Sequence, residues 1–175
     1  SQSQVESESQ SGVVRVYFNF TSEGAVVVMG TLTEKLNQVA VPFSFKVLYA
    51  RDYYDRCDAG VLYFDKDNYE LVRQVLSDVY RENKSYFKSE IPLFTMELAP
   101  GLGLAEEPDR KFASQESFGM NRCQMIANGL LKAWDQGDNS TEGRMRAILE
   151  QFSLLGIDLQ RPYLNANSED VYRVI

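Results

Sequence analysis

The feature that most constrains the fold is a repeated change of hydrophobic period along the chain. Short stretches that alternate every second residue are followed by longer ones with apolar residues every third or fourth. The first pattern suits a strand with one buried face, and the second suits a helix lying on a core. In residues 13–20, Val14, Val16, Phe18 and Phe20 share one side, while Arg15, Tyr17 and Asn19 share the other. Thr21 or Ser22 can then cap a helix with Ala25, Val28, Met29, Leu32, Leu36 and Val39 at helical spacing. Pro42 opens a second strand, in which Phe43, Phe45 and Val47 alternate with Ser44, Lys46 and Leu48. A polar and aromatic connection over 49–58 leads into a third strand at 59–64. Asp65 or Asp67 caps a second helix whose inward face is Val72, Val75, Leu76 and Val79. A fourth strand around Thr95 sets Phe94, Met96 and Leu98 against Thr95 and Glu97. The order β-α-β-β-α-β predicts an α+β fold: a four-stranded, mostly antiparallel sheet with both helices on its apolar face.

Pro100, Gly101, Gly103 and Pro108 argue against regular structure after the fourth strand, so a loop is expected there. A third helix runs from about Ser117 to Trp134, burying Cys123, Ile126, Ala127, Leu130, Leu131 and Trp134. A fourth, capped within residues 138–142, carries Met145, Ile148, Leu149, Phe152 and Leu155 and ends at Gly156. These two C-terminal helices are expected at the edge of the sheet or over its open face. Beyond Tyr163 the chain reads as extended and irregular. Residues 1–12 are Ser, Gln and Glu with almost nothing apolar, the composition of a linker or tail. Residues 13–175 read as a single domain, expected to be the C-terminal part of a longer protein.

Composition narrows the function classes. Hydrophobic residues make up 44% of the 175 residues and aromatics 12%, enough for one real core. No apolar run approaches the roughly 18 residues of a membrane span. A net charge of −7 argues against a general nucleic-acid surface, which needs clustered Lys and Arg. Two cysteines, Cys57 and Cys123, suggest neither a disulfide framework nor a zinc site; a bacterial cytoplasm is the default location, and secretion into a host cell is compatible with it. The chain has no histidine, which removes Ser-His-Asp triads, most transition-metal sites and the usual proton shuttle. No metal or cofactor is expected.

The polar residues of the strands collect on the open sheet face: Arg15, Tyr17, Asn19, Lys46, Thr95 and Glu97. Lys46 opposite Glu97 reads either as an exposed ion pair or, if the last helices cover it, as a lysine able to act as a base. The start of the third helix, with Ser117 and Arg122, suits an anion. Arg56 lies in the polar connection beside the sheet. Gly101-x-Gly103 lacks the lysine and hydroxyl of a P-loop, so a nucleoside triphosphate fits poorly.

Four blocks carry a family resemblance: PFSFKVL at 42–48, YDRCDAGVLY at 54–63, ELAPGLGLAEEP at 97–108 and ESFGMNRC at 116–123. Together they resemble the HopA-type family of type III secretion effectors, over about residues 13–163. The resemblance implies a phosphate-eliminating lyase acting on phosphoserine or phosphothreonine in a peptide or protein, with a kinase-like partner in some settings. It implies Lys46 as the base that removes the Cα proton and Arg15, Arg56 and Arg122 as phosphate ligands, with Tyr17, Asn19, Thr95 and Ser117 around the substrate. Similar lyases use a histidine as acid. Its absence leaves the acid unnecessary or supplied by Tyr17 or Tyr54, with Glu97 beside the base. The alternative is a domain that binds a phosphorylated or peptide ligand without chemistry.

Overall fold

The computed structural model describes residues 12–175; the expected tail over 1–12 lies outside them except for Gly12, whose carbonyl accepts from the Lys66 N–H at 2.8 Å. The elements run β1 (Val13–Phe18), α1 (Ser22–Gln38), β2 (Phe43–Val47), β3 (Gly60–Asp65), α2 (Tyr69–Asn83), β4 (Met96–Ala99), β5 (Leu102–Glu106), α3 (Phe118–Asp135) and α4 (Thr141–Leu154). The five strands form one antiparallel sheet in the order β2-β3-β1-β5-β4.

The sheet therefore has five strands rather than four. Pro100 and Gly101 form a tight hairpin turn, and Leu102–Glu106 continues as a strand against β1 instead of the expected loop. Gly101 has φ +77°, and a Cβ there would sit 2.0 Å from the Lys88 carbonyl oxygen, so both the turn and the close approach require glycine. The edge strand begins only at Met96. Phe94, at φ +70°, breaks the alternation and packs with Tyr17, Ala105 and Phe118 on the face opposite Met96 and Leu98.

The helices on the back face follow their sequence pattern except at Met29 and Val39, which are exposed rather than in the core because Met29 lies on the outer flank of α1 and Val39 stands past its last turn. The Thr21 side chain accepts from the Gly24 N–H at 3.1 Å and starts α1, which buries Ala25, Val28, Leu32 and Leu36. Asp65 accepts from the Asp67 N–H and caps a short 3₁₀ turn that leads into α2, whose Val72, Val75, Leu76 and Val79 face the same core. Val14, Val16, Phe18, Leu62, Phe64, Leu102 and Leu104 meet them from the sheet. Each such side chain contributes about 1.5–3 kcal/mol on burial.

The C-terminal helices differ from expectation. They pack against each other where Gly129 of α3 lies close against the Ala147 and Ile148 backbone of α4, and only the first turn of α3 reaches the front of the sheet. The inward face of α3 is Phe118, Asn121, Arg122, Met125, Gly129 and Ala133, whereas Cys123, Ala127, Leu130, Leu131 and Trp134 are exposed. On α4, Phe152 and Ala147 are buried and Met145 and Leu149 exposed.

The segment after α4 has no helix or strand, yet it is fastened to the domain. Glu106, at the end of β5 and 3% exposed, accepts from Lys66 Nζ, Ser168 Oγ, Tyr172 OH and the Asn165 N–H at 2.6–2.8 Å. The Ile175 N–H donates to the Leu98 carbonyl on the outer strand β4 at 3.0 Å. Burial pushes the Glu106 carboxyl up, but these four donors more than offset it and hold it below the ordinary carboxylate value. A carboxylate lowered on folding adds stability above its unfolded value of 4.5 and loses it as pH falls through the folded one. Glu106→Gln should therefore lower stability by about 1–3 kcal/mol at pH 7, by urea melts, with the gap to the unchanged protein narrowing in acid. A gap that persists unchanged at low pH would contradict this.

Candidate functional site

Antiparallel register fixes which side chains share the front face. One row across the sheet runs Lys46, Val61, Tyr17, Gly103 and Glu97, and the next runs Ser44, Tyr63, Arg15 and Ala105. Lys46 and Glu97 stand at opposite ends of the same row, on the two outer strands. Four strand spacings separate them by roughly 19 Å, so they form neither an ion pair nor an acid–base couple. Thr95 folds over β5, where a Cβ on Gly103 would lie 2.5 Å from its Oγ1, and its hydroxyl donates to the Pro92 carbonyl at 2.6 Å.

A concavity of about 190 Å³ lies on this face, lined by Arg15 and Tyr17 from β1, Asp58, Val61 and Tyr63 around β3, Pro92 and Leu93, and Ser117, Phe118 and Gly119 at the start of α3. Ser117 caps α3 by accepting from the Met120 N–H at 3.2 Å. The helix thus points its positive end into the cleft. Arg15 is 9% exposed and forms an ion pair with Glu107, which also takes Lys111 at 2.5 Å. Burial works against the Arg15 charge, and the Glu107 carboxylate more than offsets it. Burial likewise pushes the Tyr17 hydroxyl up while Arg15 pulls it down. The Arg15 guanidinium and the Lys46 ammonium each lie 5.2 Å from the centre of the Tyr63 ring, so two cations share one aromatic ring at the rim of the cleft. Lys46 itself is exposed.

The structure brings Arg15, Tyr17 and Ser117 together, with Lys46 beside them, and sends the other candidates elsewhere. Asn19 is 3% exposed, and its amide donates to the Glu90 carbonyl at 2.9 Å. Tyr54 belongs to the back layer, stacked on Phe20, and its hydroxyl donates to the Leu48 carbonyl at 2.5 Å; burial pushes it up. Arg56 makes a bidentate pair with Asp58 at 2.8 and 2.7 Å, with its own side chain mostly exposed. Glu97 is exposed at the far edge.

Arg122 is 1% exposed and turned away from the cleft. It donates to the Pro162 carbonyl at 2.8 Å, the Leu164 carbonyl at 3.0 Å and Asn121 Oδ1 at 2.6 Å, and lies over the Phe118 ring. Desolvation lowers it to about 10 against the pull of Asp109, Glu106 and Glu116. The residues that sequence reasoning missed are Asp58, Val61 and Tyr63; period-two alternation carried through β3 would have put Val61 and Tyr63 in front beside Tyr17 and Arg15. Among the described residues no group of three or more His, Cys, Asp and Glu could hold a metal ion, and no helix is long and apolar enough to cross a membrane.

The HopA1 effector protein family model matches residues 2–164. Two solved effector structures are similar in fold. The effector from Pseudomonas syringae pv. tomato strain DC3000 superposes with a TM-score of 0.68 at 18% identity, over 90% of this chain and 58% of that one. The effector from Pseudomonas syringae pv. syringae strain 61 gives 0.65 at 19% identity, with the same coverage of 90% and 58%. This chain thus spans less than two thirds of their length. No curated protein matches it.

Arg122→Ala should cost about 2–4 kcal/mol, because three acceptors lose a buried charged donor, and it should speed amide exchange across residues 162–168. A phosphate ligand on the surface would behave differently, losing anion affinity with the melting temperature unchanged.

Proposed function

This chain belongs to the HopA1 effector protein family, and we propose that it acts on a phosphorylated peptide or protein, eliminating phosphate from phosphoserine or phosphothreonine. The observation supporting this is the front cleft, where Arg15 and Tyr17 of β1 meet Ser117 and the first turn of α3, with Lys46 of β2 at the rim. In the reaction Lys46 takes the Cα proton, the C–H electron pair forms the Cα=Cβ double bond, and the Cβ–O bond breaks with its electrons on the departing phosphate. The product is a dehydroamino acid, and no water is consumed. Arg15 and the free N–H groups opening α3 stabilise the leaving dianion, the role in which preorganised donors contribute most. Asp58 would oppose that charge across the cleft, and Arg56 neutralises it. With the phosphate held by cations, Tyr17 is a hydroxyl of the cleft able to protonate it.

A second reading, a phosphopeptide-binding effector-like domain without chemistry, is favoured by a different observation. Lys46 is exposed on an outer strand rather than enclosed in the cleft.

Lys46→Arg distinguishes the two, since arginine keeps the charge but does not readily give up its proton. The lyase reading expects Lys46→Arg to abolish loss of phosphoric acid from a phosphothreonine peptide, followed by mass spectrometry, while the phosphopeptide still binds. Arg15→Ala should weaken that binding about tenfold. Equal turnover by the Lys46→Arg protein would remove Lys46 as base, and binding with no turnover by either protein would leave the second reading.

A further inference from the structure

The two outer strands of the sheet are treated differently. At β4 the Ile175 N–H is bonded to the Leu98 carbonyl, so part of that edge is already covered. At β2, pairing with β3 uses the Leu48 N–H to the Ala59 carbonyl and the register Ser44↔Tyr63 and Lys46↔Val61. Antiparallel alternation then turns the N–H and C=O of Phe43, Phe45 and Val47 outward. Among the described residues no backbone partner meets them. An open row of this kind is a template for another extended chain.

Beside that edge, on the back of the sheet, lies a groove of about 680 Å³, lined by Ala25, Val26, Met29, Gly30 and Thr33 of α1 and by Val47, Leu48 and Tyr49. Val26, Met29, Gly30 and Thr33 recur at helical spacing along one stripe of α1. Val26 is 76% exposed and Tyr49 93%, with Tyr49 edge-on to Tyr53 at 6.3 Å, so a pair of aromatic rings stands free at the groove's mouth. Gly30 sits in mid-helix where a Cβ would meet nothing within 4 Å, so the groove is open along its helical wall.

The charges lining the groove define its occupant further. Arg51 lies at the end where Tyr54 stacks on Phe20, beside the start of α1, and Glu34 lies twelve residues along the helix from Ser22. At 1.5 Å per helical residue that is roughly 18 Å, about five residues of extended chain. Arg51 acts at a distance on the Glu23 carboxylate at the start of α1 without a close ion pair among the described residues, and Glu34 accepts only from the Gln38 amide, at 3.4 Å.

We infer that β2 and α1 form a docking groove for an extended peptide segment, which adds as a sixth strand on β2. The peptide places one large apolar side chain between Met29 and Tyr49, an acidic group near Arg51 and a basic group near Glu34. Strand addition supplies affinity through main-chain hydrogen bonds, and the pocket for alternate side chains supplies selectivity. This site lies on the opposite face from the front cleft and stands whether or not Lys46 performs chemistry.

The test is selection of random dodecapeptides displayed on phage against the full chain, followed by titration of the best peptide into the ¹⁵N-labelled protein. The expected result is a proline-free consensus with a large apolar residue flanked by an acidic residue on one side and a basic one on the other, and amide shifts centred on Phe43, Phe45 and Val47. Gly30→Leu fills the groove at a position with room for a side chain, so it should weaken binding by at least about tenfold with the melting temperature unchanged or raised. Arg51→Glu should lose the preference for the acidic residue while remaining folded. Absence of any consensus, or full affinity in the Gly30→Leu protein, would overturn the proposal. Concentration-dependent dimers in sedimentation that Gly30→Leu abolishes would also overturn it, by making the occupant a second copy of this chain.

Discussion

Everything else in the molecule depends on β1 being buried on both faces. It lies between β3 and β5, with Val14, Val16 and Phe18 wholly inside the back core and Arg15 and Tyr17 nearly inaccessible in front. An unpaired buried guanidinium would be strongly destabilising, so the position of Arg15 requires a carboxylate at the same depth, and β5 supplies it through Glu107, immediately after its last residue. That pairing ties the position of β5 to β1. With β5 in place the Gly101 hairpin turns β4 into the outer strand, and Phe94 and Phe118 close over Tyr17 and Ala105. The front cleft is what remains open beside this small second core.

Two buried charges then fix the end of the chain. Glu106 and Arg122 are both almost fully enclosed, and each is satisfied chiefly by residues beyond α4: Asn165, Ser168 and Tyr172 for the acid, the Pro162 and Leu164 carbonyls for the base. A segment with no helix or strand gains order in this way because leaving either charge uncompensated would cost more than the entropy of fixing the chain. The same arrangement positions the cleft. Arg122 is one turn from Phe118 on α3 and lies over its ring, so the C-terminal segment, through Arg122, holds the first turn of α3 against the sheet.

The parts legible in the sequence are those where one physical demand acts alone. The inward stripes of α1 and α2 and the alternation of β1 and β2 follow apolar burial, and period is enough to read them. β5 was not legible because Leu102-Gly-Leu-Ala-Glu is buried on both sides: small residues face Thr95 and Phe118 in front, and glycine reads as a loop. α3 was misread for the opposite reason. Its buried face carries Asn121, Arg122 and Gly129, chosen for hydrogen bonds and close helix contact, while Leu131 and Trp134 point outward. Of the candidate site, Arg15, Tyr17 and Ser117 were readable as polar residues on one face and a helix start. The failure of Lys46 to meet Glu97 was not, because strand order, unlike alternation, is a long-range property that period does not encode.

The geometry of β2 also links the two faces. Its outward backbone groups belong to Phe43, Phe45 and Val47, while the side chains of Ser44 and Lys46 point to the front. Were an extended chain to pair with β2, its residues would alternate in the same way, half toward the α1 groove and half toward the front. A front-facing residue opposite Lys46 would have its Cβ about 4.5–5.5 Å from that of the lysine. That row leads on through Val61 to Tyr17, but three strand spacings, roughly 14 Å, separate the added strand from β1, beyond the reach of a phosphorylated serine or threonine toward Arg15. A chain paired with β2 would therefore anchor the substrate, and a separate stretch of it would have to cross the front face to bring the reacting residue between Lys46 and the cleft. A one-residue slip on β2 would turn the anchoring side chains away from the α1 groove, so strand register would decide which stretch is left free to cross.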